Sequence, residues 1–422
     1  MRSTLRMTAL FGLLTLATAC GSDGGKNDGN AGNSGAAGQS GQVTIFSWWT
    51  APGEAEALQA LVDVYRDQHP DSTIYNAAAD SGDDARAKLD ELITAEKPPD
   101  LAQYNANNLG TLLTDHPGAA VALDDFIDEL GIRSKIVPEV LANVTIGGKI
   151  MAMPVNVHRE NALFYNKQLF ADNDLTPPTT VAELLDDCTT LKAAGVTPIA
   201  TSFQGWIQRI MFNTIVMGDL GGTQFAKLLD GSLAFDDPSV TAAIDDYTYI
   251  IDHCINADAG DADFGWTNAA EAVHAGDAAI FIHGDWAKGY FDQLGWTPGV
   301  DFGVVGAPGA TNVFWYGVDV FTLMKGAPNE QGAKDFLEVV ASVEGQIAFN
   351  TVKGSSPMRL DVPTTGLDEV AATTLEDLKK SDMRMLVQTT DAWDTALGTY
   401  AADSNHDRAA LAEAFAANFP LK

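Results

Sequence analysis

Cationic side chains are scarce in this chain of 422 residues: 25 Lys plus Arg stand against 57 Asp plus Glu, a formal net charge of −32. A surface that acidic repels phosphate backbones and anionic lipid, so nucleic acid is excluded as an expected partner. Glycine and proline together, at 39 and 17, are only slightly above ordinary usage, which excludes a collagen-like or wholly disordered chain. Beyond the first twenty residues no stretch approaches the roughly eighteen consecutive apolar residues of a spanning helix, and the folded part is expected to be soluble. Catalytic signatures are missing as well: there is no G-x-S-x-G, no G-x-x-x-x-G-K-[ST] and no H-E-x-x-H. The 7 histidines are scattered without a metal-like helical pair. The acidic run from Asp258 to Asp263 lacks the spacing of a calcium loop and reads as solvated. No spacing picks out a carboxylate pair for glycoside hydrolysis. Neither a cofactor nor a metal is expected.

What the chain has begins at its N-terminus. Met1 to Ala19 carries two arginines, Arg2 and Arg6, then an apolar stretch from Ala9 to Leu16 that is too short to span a membrane and reads as a signal peptide. Ala17-Thr18-Ala19-Cys20 resembles a lipobox, in which Cys20 becomes the lipidated first residue; an ordinary signal peptide is the alternative. Residues 20–42 are then a Gly-, Ser- and Asn-rich flexible tether, unable to bury enough apolar surface to order itself. The protein is thus expected to be exported and lipid-anchored, facing the periplasm or the cell exterior. Cys188 and Cys254 are the remaining cysteines, and an even pair in an exported chain suggests one disulfide, with two buried thiols as the alternative.

The length fits about two domains. Val43 to Ser47 is a β-prone run, followed by a helical pattern with Leu58, Leu61, Val62 and Tyr65 on one face, stopped by His69-Pro70. A strand near Ser72 to Tyr75, a helix over Ala85 to Ala95 and a strand at Leu101 to Tyr104 complete a β-α-β-α-β rhythm, the signature of an α/β domain with a largely parallel sheet. A fresh start follows at Ile150 to Val155, then helices near Lys167 to Ala171 and Val181 to Ala194. Further strands are expected at Leu233 to Phe235, Ala278 to Ile282 and Phe302 to Val305, and the end, from about Leu367, reads as mainly helical.

Tryptophan placement stands out. Trp48-Trp49 falls at a strand end just before a helix start, where open α/β sheets place ligands. Adjacent residues of a strand point to opposite faces, so one indole can pack while the other faces a cleft. Trp266, Trp286 and Trp315 each lie beside small or polar residues, as in His283-Gly284-Asp285-Trp286. Indole faces for the C–H side of a pyranose, with carboxylates and amides for its hydroxyls, are the inventory that sugar binding requires.

Ser47-Trp48-Trp49-Thr50-Ala51-Pro52-Gly53-Glu54 resembles the opening of the glucose- and mannose-binding branch of ABC-transporter extracellular solute-binding proteins (family 1). The resemblance continues through Pro99-Asp100 and Gln103, Pro154-Val155-Asn156-Val157-His158-Arg159, Gly265-Trp266, Gly284 to Tyr290, Val318-Asp319 and Phe349 to Ser355, covering about residues 43–400. It implies a two-lobed periplasmic-binding-protein-like fold with a hinge, of the type II sugar-binding cluster. It also implies a non-enzymatic role: capturing a glucose-, galactose- or mannose-like monosaccharide and delivering it to the permease subunits, as a monomer. The implied ligand-binding residues are Trp48, Trp49, Glu54, Gln103, Trp266, Trp286, Asp319 and Lys353. Asn105 stands where the family often has histidine, and Gln388 appears in place of a second one; both bear on which sugar fits. His158 and Arg159 match the family's crossover segment and are read as hinge structure, with ligand contact as the alternative. Residues 43–153 plus about 312–356 would form the N-terminal lobe, and about 158–311 plus 357–422 the C-terminal lobe. Crossings are expected near 154–161 and 317–322. A cell-surface glycosidase or a sugar-sensing lipoprotein is the alternative.

Overall fold

The structure is a computed structural model that describes residues 41–78 and 82–420. The leader, the Cys20 lipidation site and the tether as far as Ser40 lie outside the described residues. Strand Gln42–Phe46 follows, its Val43, Ile45 and Phe46 buried. Helix Glu54–Gln68 buries Leu58, Leu61, Val62 and Tyr65 on one stripe, as their spacing predicts. The Glu56 carboxylate accepts from the Gly53 amide at 2.6 Å, satisfying one of the helix's unpaired N–H groups, while His69-Pro70 ends it. Gly53 has φ +86°, and a Cβ there would fall 2.6 Å from the Gly289 carbonyl carbon, so only glycine serves where the two chain segments touch.

The first sheet runs Thr73–Asn76, Gln42–Phe46, Leu101–Asn105, Asp319–Leu323, Met153–Pro154. Its first three strands are parallel, and the last two pair antiparallel, so the sheet is only half as parallel as the sequence rhythm suggests. The second sheet orders Phe302–Gly306, Ala162–Asn166, Ala278–His283 and Thr197–Ala200. Both of its faces are covered: Ile280 and Ile282 join one cluster and Phe281 another, and all six residues of Ala278–His283 are buried. The expected strand at Leu233–Phe235 is instead a turn, where Phe235 packs its ring on Phe415 at 4.6 Å.

Two lobes follow from the hydrophobic clusters, one in the first lobe and two on the faces of the second sheet. Trp49, Phe321, Phe336 and Phe349 belong to the first; Phe212, Tyr247, Trp393 and Phe415 belong to the second. The strand Val313–Gly317 serves both, because alternate side chains point to opposite faces: Phe314 and Tyr316 enter the first core, Val313 and Trp315 the second. It pairs with His158–Arg159 on one side and Met383–Leu386 on the other, and in this small sheet the chain passes between lobes. Helix Glu369–Lys380 departs from expectation. Leu375 and Leu378 lie in the first core, so residues 357–422 are divided between lobes instead of belonging wholly to the second.

The expected disulfide is not present. Cys188, in helix Val181–Ala193, and Cys254, at the end of helix Pro238–His253, are buried free thiols. They meet in the second core, and the hydrogen bond between the sulfurs, with burial, raises the Cys188 pKa far above the usual thiol range. Among the described residues no helix is long and apolar enough to cross a membrane.

Candidate ligand-binding cleft

A cavity of about 680 Å³ opens between the lobes. On the first-lobe side the chain leaves its opening strand at Ser47, whose hydroxyl accepts from the Trp49 amide at 3.3 Å. Trp49, 1% exposed, packs against Phe321 and Phe349 at 5.6 and 5.1 Å between ring centroids, whereas Trp48 remains partly exposed at the cleft. The two indoles thus divide, one packed and one at the cleft, just past the end of the strand.

Glu54 opens one helix and Lys353 closes another, each at the end where the helix dipole favours its charge. The two form an ion pair, with the buried Lys353 ammonium 5.9 Å above the Trp49 ring.

Asp319 is the meeting point of strands and crossing. Its Oδ1 accepts from Gln103 Nε2 at 3.3 Å and Asn105 Nδ2 at 2.9 Å. Its Oδ2 accepts from Asn156 Nδ2 and His158 Nε2, both at 3.0 Å. A carboxylate has about four lone-pair sites, so these four donors use its capacity. The other ring nitrogen of His158 meets Asp285 at 2.5 Å. Burial by itself opposes a charged imidazole, but Asp285 and Asp319 outweigh it and raise His158 to about 9. Asp319 is correspondingly lowered despite its burial. Arg159 ties the crossing to Asp377 at 2.7 Å.

On the second-lobe side Trp266 starts helix Trp266–Ala275, and Trp286 lies on the turn after strand Ala278–His283. Its ring folds over Gly284, where a Cβ would sit 1.9 Å from it. Trp286 Nε1 donates to His283 Nε2 at 3.1 Å. His283 is stacked between Trp266 (5.6 Å, 15°) and Phe281 (4.6 Å, 18°). Burial, then the nearby Arg209 cation, lowers its pKa to about 3, so it is neutral and accepts.

The cleft thus brings together Trp48, Glu54, Asn105, Trp266, Trp286, Asp319 and Lys353, with Trp49 behind them. Gln103 is buried beneath the surface, accepting from the Trp48 amide at 3.3 Å as well as holding Asp319. Gln388 does not line the cavity, although its neighbours Val387 and Thr389 do. Trp315 is core, lying under the Arg209 guanidinium at 5.7 Å. Sequence reasoning missed Trp206, Arg209, Glu160 and Asp394, which also line the cavity. Gly205-Trp206 repeats the pairing of Gly265-Trp266 and could have been found; the charged trio has no local signal.

Two α/β lobes with separate cores, joined by crossing strands around an aromatic and ion-paired cleft, define the class of two-domain solute-binding proteins. Residues 50–347 match the bacterial extracellular solute-binding protein family, and the chain belongs to it. It is 32% identical over 353 residues to a probable sugar-binding periplasmic protein of Mesorhizobium japonicum, covering 81% of each chain. It is 30% identical over 353 residues to an uncharacterized ABC transporter extracellular-binding protein of Pyrococcus horikoshii, covering 82% of this chain and 78% of that one. Among solved structures it is similar to the bacterial solute receptor AcbH, reported to prefer β-D-galactopyranose exclusively. The TM-score is 0.74 at 16% identity over 90% of this chain and 97% of the other, a likeness of fold.

Proposed function

We propose that the chain is the sugar-capturing lipoprotein of a carbohydrate ABC importer, anchored through Cys20 and holding a neutral, glucose-like hexose ring between its lobes. The observation that carries this reading is the company its indoles keep: exposed aromatic faces beside cations already neutralised by carboxylates. Lys353 is paired with Glu54, Arg209 with Glu160 and Asp394, and His158 with Asp285 and Asp319. An anionic solute would have to displace these carboxylates. A neutral polyol exchanges hydrogen bonds with them at no cost in net charge.

In this reading the pyranose C–H face stacks on Trp266 or Trp286 with Trp48 opposite, Glu54 accepts from a hydroxyl, and Lys353 and Asn105 donate. Asp319, filled by its four donors, positions Asn105 and the crossing. Groups from both lobes hold the ligand, so binding favours the closed arrangement that a permease distinguishes from the open one. The motifs shared with the glucose- and mannose-binding branch support the hexose, and the names of the relatives support sugar and ABC transport.

Calorimetric titration of the mature protein with glucose, galactose, mannose and xylose tests this. One-to-one binding of a hexose, weakened at least tenfold by Trp286→Ala, is expected. A folded protein that binds neither these nor any disaccharide of them would refute the sugar reading.

A further inference from the structure

Trp206 and Arg209 lie on helix Gly205–Leu220, whose start rests against the first turn of helix Asp391–Ala402. The contact is backbone to backbone: a Cβ on Gly205 would fall 2.2 Å from the Asp394 carbonyl oxygen. Arg209 is held over Trp315 and donates to Glu160 Oε2 through Nη1 at 2.8 Å and to Asp394 Oδ2 through Nε at 3.4 Å. Asp394 also accepts from the Thr389 hydroxyl at 2.5 Å. Charges this buried cost desolvation that apolar packing would avoid, so stability alone is a poor reason for them.

The wall keeps hydrogen-bonding capacity toward the cavity. Among the described residues, side-chain bonds occupy Arg209 Nη1 and Nε but not Nη2, and Glu160 Oε2 but not Oε1. A planar donor flanked by two acceptors is suited to adjacent hydroxyls. Beside it stands Trp206, partly exposed, its ring 6.4 Å from that of Trp286 and tilted by 34°. Both indoles line the cavity, so a sugar longer than one ring can meet each of them. The Glu54–Lys353 pair and Trp48 belong to the first-lobe wall, whereas this group belongs to the second lobe and its crossing.

We infer that the Trp206–Arg209–Glu160–Asp394 wall is a second ring subsite, which makes the preferred solute a neutral disaccharide or longer sugar. Its next ring stacks on Trp206, donates hydroxyls to Glu160 and Asp394 and accepts from Arg209. The inference rests on the sugar reading above and extends it by one ring.

The test is calorimetric titration of the mature protein with glucose, galactose and mannose against maltose, cellobiose and lactose, for wild type, Trp206→Ala, Trp206→Phe and Asp394→Asn, each checked for an unchanged far-ultraviolet spectrum. At least one disaccharide should bind tenfold or more tighter than its own monosaccharides. Trp206→Ala and Asp394→Asn should abolish that advantage, lowering disaccharide affinity at least tenfold more than monosaccharide affinity, and Trp206→Phe should keep part of it. Equal affinity for mono- and disaccharides in wild type would overturn the second subsite and leave the hexose reading standing. Equal weakening of both classes by Trp206→Ala would also overturn it, because Trp206 would then belong to the first ring. Absence of binding to all six sugars would overturn both readings together.

Discussion

His158 and His283 both neighbour Trp286, with ring centroids 5.1 and 5.0 Å from its own, and both are buried. Their charge states are opposite. His158 is held protonated up to about 9, and His283 is kept neutral down to about 3. Burial works against the cation at both sites, so partners decide the outcome. His158 bridges two carboxylates from different parts of the chain, whereas His283 sits between aromatic rings near a guanidinium. The crossing is thereby tied together by charge and the second-lobe wall by stacking.

The largest effect should come from removing the charged member. His158→Leu leaves Asp285 and Asp319 buried and facing each other without their cation, which should cost about 3–5 kcal/mol in urea unfolding. His158→Gln, which keeps a donor, should cost less. A loss below about 1 kcal/mol in the leucine variant would show that the two carboxylates are not held through this ring.

The pH dependence of stability should separate the two histidines. A raised pKa in the folded state means that the His158 contribution is fully present below its ordinary value of 6.5 and is lost as pH rises through about 9. The lowered pKa of His283 has the opposite sign: its contribution is present above 6.5 and is lost as pH falls toward about 3. The groups facing His158 are Asp285, Asp319 and Asn156, with Lys353 acting on both carboxylates; Arg209 acts on His283. In thermal melts His158→Gln should flatten the alkaline limb and leave the acid limb. NMR titration should find His158 still protonated at pH 8 and His283 still neutral at pH 5, and the reverse pattern would break the contrast.

The smallest effect is expected from His283→Phe. It keeps a ring stacked between Trp266 and Phe281 but removes the acceptor for Trp286 Nε1, at about 1 kcal/mol in stability. Because Trp286 is then less firmly held, sugar affinity should fall severalfold with little change in melting temperature. An unchanged affinity would mean that packing alone orients Trp286.

Much of the cleft was legible because short motifs carry it. The resemblance to the sugar-binding branch pointed to Trp48, Glu54, Trp266, Trp286 and Lys353, which line the cavity from strand ends or helix ends. Gln103 and Gln388 were assigned to the site by motif position and do not line the cavity, because whether a glutamine reaches a cleft depends on the neighbouring layer. Gln103 is drawn inward by Asp319, 216 residues away. Arg209 meets Glu160 at a separation of 49 residues and Asp394 at 185, so no local spacing could reveal that wall. Helix Glu369–Lys380 is amphipathic whichever lobe it joins, and only the course of the chain put Leu375 and Leu378 into the first core.

The sequence by itself determined the α/β character and the helical stripe of Leu58, Leu61, Val62 and Tyr65, because periodicity and turn chemistry act over a few residues; that it is Trp49 which packs was decided by the fold. Tertiary structure alone decided that Cys188 and Cys254 would touch as thiols, that one strand would serve two cores, and that His158 and His283 would differ in charge. Those outcomes depend on which distant groups share a low-dielectric neighbourhood, and the folded path of the chain sets that company.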